Sequence, residues 1–139
     1  MKNRIELLDH TGDTGLKIWG GTMEDIFILA ARGMFSVIYD VGKVAPRQSR
    51  SVELKAESDS ELFVRWLNHL NFLFATENLL FCRFDLFEIK NHFLTATVSG
   101  EEFSAAKHEI FSEIKAVTYH QLKLEQIKDG WYAQVVFDV

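Results

Sequence analysis

Chemistry is concentrated at two places in this chain: the run Asp9-His10-Thr11-Gly12-Asp13 and the final pair Asp138-Val139. The first holds two carboxylates and an imidazole at the end of a stretch that reads as a strand. The second puts a carboxylate beside the α-carboxylate or carbonyl of Val139 at the end of another. If the two strand ends meet, Asp13, Asp138 and Val139 offer only oxygen donors, which suit a hard divalent cation: Ca²⁺ first, with Mg²⁺ or Mn²⁺ as alternatives. If they do not meet, these are surface acids, with Asp9 and Asp13 capping amides in a loop. His10 reads as a ligand, a proton shuttle or a hydrogen-bonded structural histidine. Lys115 opens a strand and is either a phosphate contact or a solvated strand-end lysine.

Other kinds of site find little support. His69, His92, His108 and His120 show no metal-ligand spacing with Cys82, so zinc is not expected. Ser99-Gly100-Glu101-Glu102 is not a nucleophile elbow, and Cys82 between Phe81 and Phe84 reads as core filler, so no activated nucleophile stands out. There is no P-loop and no GxGxxG.

The elements that must position these residues follow from hydrophobic period. Ile5 and Leu7 share one parity in residues 4–8, as do Leu16 and Ile18 in residues 14–19, giving two short strands separated by the DHTGD loop. Thr22, with Asp25 three residues on, starts a helix whose apolar stripe (Met23, Ile26, Phe27, Ala30, Met34, Phe35, Ile38) runs to about residue 39. Residues 40–50 hold the only proline and read as a loop, and residues 51–57 alternate as a strand with one wet face. Ser58 with Glu61 opens a second helix carrying Leu62, Phe63, Trp66, Leu67, Leu70, Leu73 and Phe74, ending near Asn78. The period then becomes two. Residues 84–89 and 93–98 form a hairpin across Lys90-Asn91-His92, residues 103–114 are an irregular excursion, and residues 115–126 and 131–139 pair across Lys128-Asp129-Gly130. Strands following one another without helices between them imply an α+β fold, two helices packed on an antiparallel or mixed sheet. In the last strand Trp131, Ala133, Val135 and Phe137 share the core face, so Asp138 is expected outside the core.

Size and charge narrow the function. The 139 residues suit a single domain spanning 1–139, and 47% hydrophobic content with 12 Phe and 3 Trp is enough for a sizeable core. A net charge of −5 is opposite to the footprint of a protein that neutralises phosphates itself, so contact with nucleic acid is expected only through a basic partner. One cysteine allows no internal disulfide, the N-terminus lacks a signal-peptide core, and the greasiest stretch, residues 62–80, is interrupted by Arg65, Asn68, His69, Asn71 and Glu77. The expectation is a soluble cytoplasmic protein, monomeric or weakly oligomeric.

Several of these residues together carry a likeness to a known family. The DHTGD loop followed by Gly15 and Trp19-Gly20, Met34-Phe35, Trp66-Leu67-Asn68, the run KAVTYH (Lys115 to His120) and the ending VVFDV resemble the archease family over essentially the whole chain. Gly12 departs from the alanine usual in that loop and loosens its backbone. Val139 stands where isoleucine is common. The resemblance implies a small α+β protein that is not itself a catalyst. It would be an accessory factor of the GTP-dependent RNA ligase of the RtcB type, which joins 2′,3′-cyclic phosphate or 3′-phosphate ends to 5′-hydroxyl ends in tRNA splicing and RNA repair. The factor promotes guanylylation of the ligase's active-site histidine and multiple turnover. Asp13, Asp138 and Val139 carry over as metal positions, with Asp9, His10 and Lys115 as partner-facing residues. The rival readings are a chaperone-like modulator of the oligomeric state of RNA-processing enzymes, which would need an exposed apolar patch and be indifferent to the acids, and a metal-dependent hydrolase, for which neither a second metal cluster nor a general base is visible.

Overall fold

Two helix starts are set by hydroxyl caps. Thr22 Oγ1 accepts the Asp25 N–H (3.1 Å) and Ser58 Oγ accepts the Glu61 N–H (3.1 Å), each satisfying a first-turn donor and contributing about 1 kcal/mol. They open α1 (Met23–Ile38) and α2 (Asp59–Glu77), and α2 stops where Asn78 turns left-handed at φ 57°. The strands are β1 (Arg4–His10), β2 (Asp13–Gly20), β3 (Gln48–Lys55), β4 (Leu79–Lys90), β5 (Phe93–Glu102), β6 (Ala116–Ile127) and β7 (Gly130–Asp138), with a short 3₁₀ turn at Val41–Lys43. This computed structural model describes residues 2–10 and 13–139, and all of their side chains except those of Asp9, His10, Asp13 and Phe87.

The fold is α+β, as the element order implies. All strand pairs are antiparallel, and they divide between a four-stranded sheet, ordered β1-β2-β7-β6, and a three-stranded sheet, ordered β3-β5-β4. Both helices pack on this framework through one hydrophobic core. Phe27 of α1 meets Phe63 of α2 with ring centroids 5.0 Å apart, and the Trp66 indole N–H donates to the Phe27 carbonyl (2.9 Å). Phe35 stacks on Phe84, and the Tyr39 hydroxyl donates to the Phe81 carbonyl and accepts the Phe81 N–H, both at 2.7 Å, tying the end of α1 to β4. Burial pushes the Tyr39 phenol far above its ordinary range, so it serves as a neutral strut.

Three expectations need correction. β1 runs to His10 and β2 begins at Asp13, so along the backbone Asp9, His10 and Asp13 are strand residues rather than members of a five-residue loop. The expected loosening at Gly12 falls outside the described residues. At the last hairpin the pair closing the turn is Ile127↔Gly130, and the left-handed residue is Asp129 (φ 66°), so the turn residues are Lys128 and Asp129.

The third correction concerns the KAVTYH run, which is not a uniform strand. β6 pairs Thr118 with Val136 and then Lys123 with Gln134, so Tyr119, His120, Gln121 and Leu122 stand against Val135 alone. This bulge is held by polar bonds: Thr118 Oγ1 donates to the Val136 carbonyl (3.0 Å), and Gln134 Nε2 donates to the Gln121 carbonyl (2.9 Å). As a result β7 is covered on both faces near its end, with Gln134 and Val136 buried beside Val135 and Phe137.

Candidate functional site

The acidic residues singled out by type lie at one end of the four-stranded sheet. β2 begins with Asp13, β7 ends with Asp138, and the two strands are antiparallel neighbours with Thr14 opposite Phe137. One further step along that register brings the backbones of Asp13 and Asp138 to the same end of adjacent strands, where neighbours lie about 4.8 Å apart. On the other side of β2, His10 pairs with Asp13 and Asp9 with Thr14. It is therefore β2, not β1, that neighbours the last strand. β1 is the outer member of the sheet.

Lys115 joins this end from the other direction. Its backbone N–H donates to the Asp138 carbonyl (2.7 Å), and Ala116, first in β6, is paired with Asp138. Asp138, Val139 and Lys115 are all exposed. Asp138 is exposed as the last residue of β7, although Gln134 and Val136 on its side of the strand are buried. Reading across this end, the backbone order is His10, Asp13, Asp138, then Ala116 preceded by Lys115.

Two features hold the strands together here. Gly15 lies between Leu8 of β1 and Val136 of β7, and a Cβ at position 15 would fall on the Val135 carbonyl oxygen. Only glycine lets β2 approach β7 this closely beside Asp13. On the far side, α2 grips the β6 backbone: Asn68 Nδ2 donates to the Val117 carbonyl (3.0 Å), and its Oδ1 accepts the Val117 N–H (2.8 Å). Asn71 Nδ2 donates to the Ile114 carbonyl (2.7 Å). Asn68 and Asn71 hold β6 in place, a role the sequence did not assign them although Asn68 belongs to the Trp66-Leu67-Asn68 run; the available signal was amides beside the apolar stripe of α2.

As a donor set, the carboxylates of Asp13 and Asp138 with an oxygen of Val139 match a hard cation and not zinc. Among the described residues, no group of three or more His, Cys, Asp or Glu is arranged to hold a metal ion. Among the described residues, no helix is long and apolar enough to cross a membrane.

Against known proteins, residues 5–139 match the model of the Archease protein family. The chain belongs to the archease family. It is 40% identical over 140 aligned residues to protein archease of Methanosarcina acetivorans, covering 98% of this chain and 96% of the relative. Protein archease of Thermococcus gammatolerans is 39% identical, with 98% and 99% covered. The archease fold seen here also superposes on the solution structure of Methanobacterium thermoautotrophicum protein 1598 with a TM-score of 0.81 at 33% identity, covering 97% of this chain and 98% of that one. The motifs that suggested an archease therefore lie in a chain aligned with these relatives nearly end to end.

Proposed function

We propose that this protein is a non-catalytic accessory factor that activates a GTP-dependent RNA ligase in tRNA splicing or RNA repair. Archease membership supports an accessory role in general. The observation that carries the finer reading is the convergence of the β2 start and the β7 end, which sets the backbone of Asp13 at the same end of the sheet as the exposed Asp138, Val139 and Lys115. In this reading Asp13, Asp138 and Val139 hold a divalent cation, Ca²⁺ foremost, that supplies Lewis-acid charge next to phosphate oxygens. The acidic end steers the factor to a basic ligase site. Asp9, His10 and Lys115 face the ligase, and RNA is met only through it.

The test is guanylylation of purified ligase with GTP and divalent metal, in the presence and absence of this protein. Stimulation by the wild type is expected. Asp13→Ala and Asp138→Ala should each lower it by at least tenfold, a loss of about 1.4 kcal/mol or more, while their unfolding transitions stay near wild type. Calcium titration followed calorimetrically should show binding to the wild type that Asp138→Ala weakens. Full stimulation by both variants would end the acidic-end mechanism and leave the chaperone-like reading. Turnover of RNA ends or GTP by the protein alone would end the accessory reading.

A further inference from the structure

The outer edge of β1 has the makings of an interface. β1 is an edge strand, paired with β2 alone among the described strands, so every second residue turns its N–H and C=O away from β2. Leu7 is 69% exposed on that strand although Leu16, directly opposite on β2, is fully buried. Between β1 and α1 runs a groove of about 720 Å³ lined by Ile5, Leu7, Leu16, Gly33 and Val37 among others. An open edge beside an apolar groove marks a place where another strand can add.

The charges on the strand select what adds. Arg4 and Glu6 are exposed on the face opposite Ile5 and Leu7. Arg4 lies 4.0 Å from the centre of the Trp19 ring, and Glu6 pairs across the sheet with Lys17. When β1 is set antiparallel against itself with Ile5 on the two-fold axis, Arg4 of each copy faces Glu6 of the other, and Leu7 faces Asn3. The outer face then reads Lys17, Glu6, Arg4, Trp19 across the junction, with alternating charge ending on the aromatic ring. A register shifted to centre on Leu7 would set Ile5 opposite Asp9 and Glu6 opposite Leu8, losing both charge pairs.

We infer that the occupant of this edge is a second copy of the chain, joined β1 to β1 about a two-fold axis through Ile5, so that two four-stranded sheets become one continuous sheet and the two grooves close against each other. The contact is a short strand pair with groove rims, small for an obligate interface, so the association is weak and reversible. The pairing uses Asn3 to Leu7 and leaves the Asp9–Asp13 end of each copy outside it.

Sedimentation equilibrium of the full chain across a micromolar-to-millimolar range tests this. The wild type should show a reversible monomer–dimer equilibrium. Arg4→Glu or Glu6→Arg alone sets like charges across both symmetric pairs and should weaken dimerisation by roughly tenfold or more. An equimolar mixture of the two variants joins a strand with two acids to a strand with two bases, and should associate at least as tightly as wild type. That rescue also shows that the variants remain folded. A wild type at monomer mass throughout, a mixture no more associated than its components, or single variants that dimerise like wild type would each overturn the inference. The first outcome would hand the edge to a strand of a different protein.

Discussion

At one edge of the four-stranded sheet α2 reaches over β6 and occupies its backbone; at the other, β1 lies open. On β6, Asn68 takes both the N–H and the C=O of Val117, and the bulge from Tyr119 to Leu122 breaks the regular spacing an added strand would need. On β1 the register with β2 runs unbroken from Arg4 to His10. The difference follows from what each edge carries. β6 is entered through Lys115, whose N–H holds the Asp138 carbonyl, so fixing Val117 also fixes the end of β7. β1 joins the same end of the sheet through its pairing with β2, and its Ile5 side chain packs on the core beside Gly33 of α1.

The sharpest way to break this contrast is to remove the grip. Asn68→Ala deletes both bonds to Val117 and leaves a part-buried N–H and C=O without those partners, so a loss of about 2 to 4 kcal/mol is expected. Urea denaturation measures the loss. Hydrogen exchange locates it: the Val117 amide should exchange faster, while the amides of β1 facing β2 keep their rates. Uniform acceleration over the whole chain would show that Asn68 supports the fold in general rather than the β6 edge.

Much of this is legible in the amino-acid sequence, and what is not has a common cause. Both helix starts were written locally, as a hydroxyl three residues before an acidic residue whose N–H it accepts. The end of α2 was written as Asn78, and Asp138 is exposed as expected, though because it ends β7 rather than by alternation, since Gln134 and Val136 on its side are buried. The β4–β5 hairpin showed its turn at Asn91 and His92, both left-handed. What stayed hidden is non-local. Nothing within β1 or β7 states that β2 lies between them, or that β3, β4 and β5 form a sheet of their own. The bulge in β6 has no glycine or proline to mark it; Gln121 sits at φ 52° with its carbonyl held by Gln134 from across the ladder, while Thr118 of its own strand bonds the Val136 carbonyl of β7. The convergence at the acidic end could therefore be posed from the residue types but needed the strand order to reach even backbone proximity.

A second lock in the molecule shows whether the gripping device depends on being a neutral amide. Glu101, buried at the end of β5, accepts bonds from the Ala45 N–H (2.8 Å), Arg47 Nε (3.1 Å), Lys107 Nζ (2.7 Å) and His108 Nε2 (3.0 Å), clipping the loop after α1 to the excursion before β6. His108 Nδ1 accepts the Ser104 N–H (3.0 Å), which leaves Nε2 as the protonated nitrogen that donates to Glu101. These donors, Lys107 foremost and then the Ala45 amide, draw the Glu101 carboxyl down to about 2. A carboxyl depressed by folding adds stability above its ordinary pKa of 4.5, and that addition is lost as pH falls from there through about 2. Wild type should weaken over this window, and Glu101→Gln should flatten the part of the slope that comes from Glu101. Asn68→Ala should keep the wild-type slope, because an amide does not titrate there. Parallel pH profiles for wild type and Glu101→Gln would remove the charged lock from the comparison.

The smallest effect is expected at the open edge itself. Leu7 and Leu16 face each other across β1 and β2, the first 69% exposed and the second fully buried. Leu16→Ala empties a space against Gly33 of α1 and should cost about 2 to 5 kcal/mol, in the range of other buried leucines. Leu7→Thr keeps a residue suited to a strand and removes only exposed apolar surface, so in dilute solution its unfolding free energy should stay within about 0.5 kcal/mol of wild type. The same change at high concentration should lower the dimer fraction, because Leu7 then lies on the rim that the second copy closes. A Leu7→Thr chain destabilised as a monomer by more than about 1 kcal/mol would mean that the groove between β1 and α1 is already part of the core, and β1 would no longer count as an open edge.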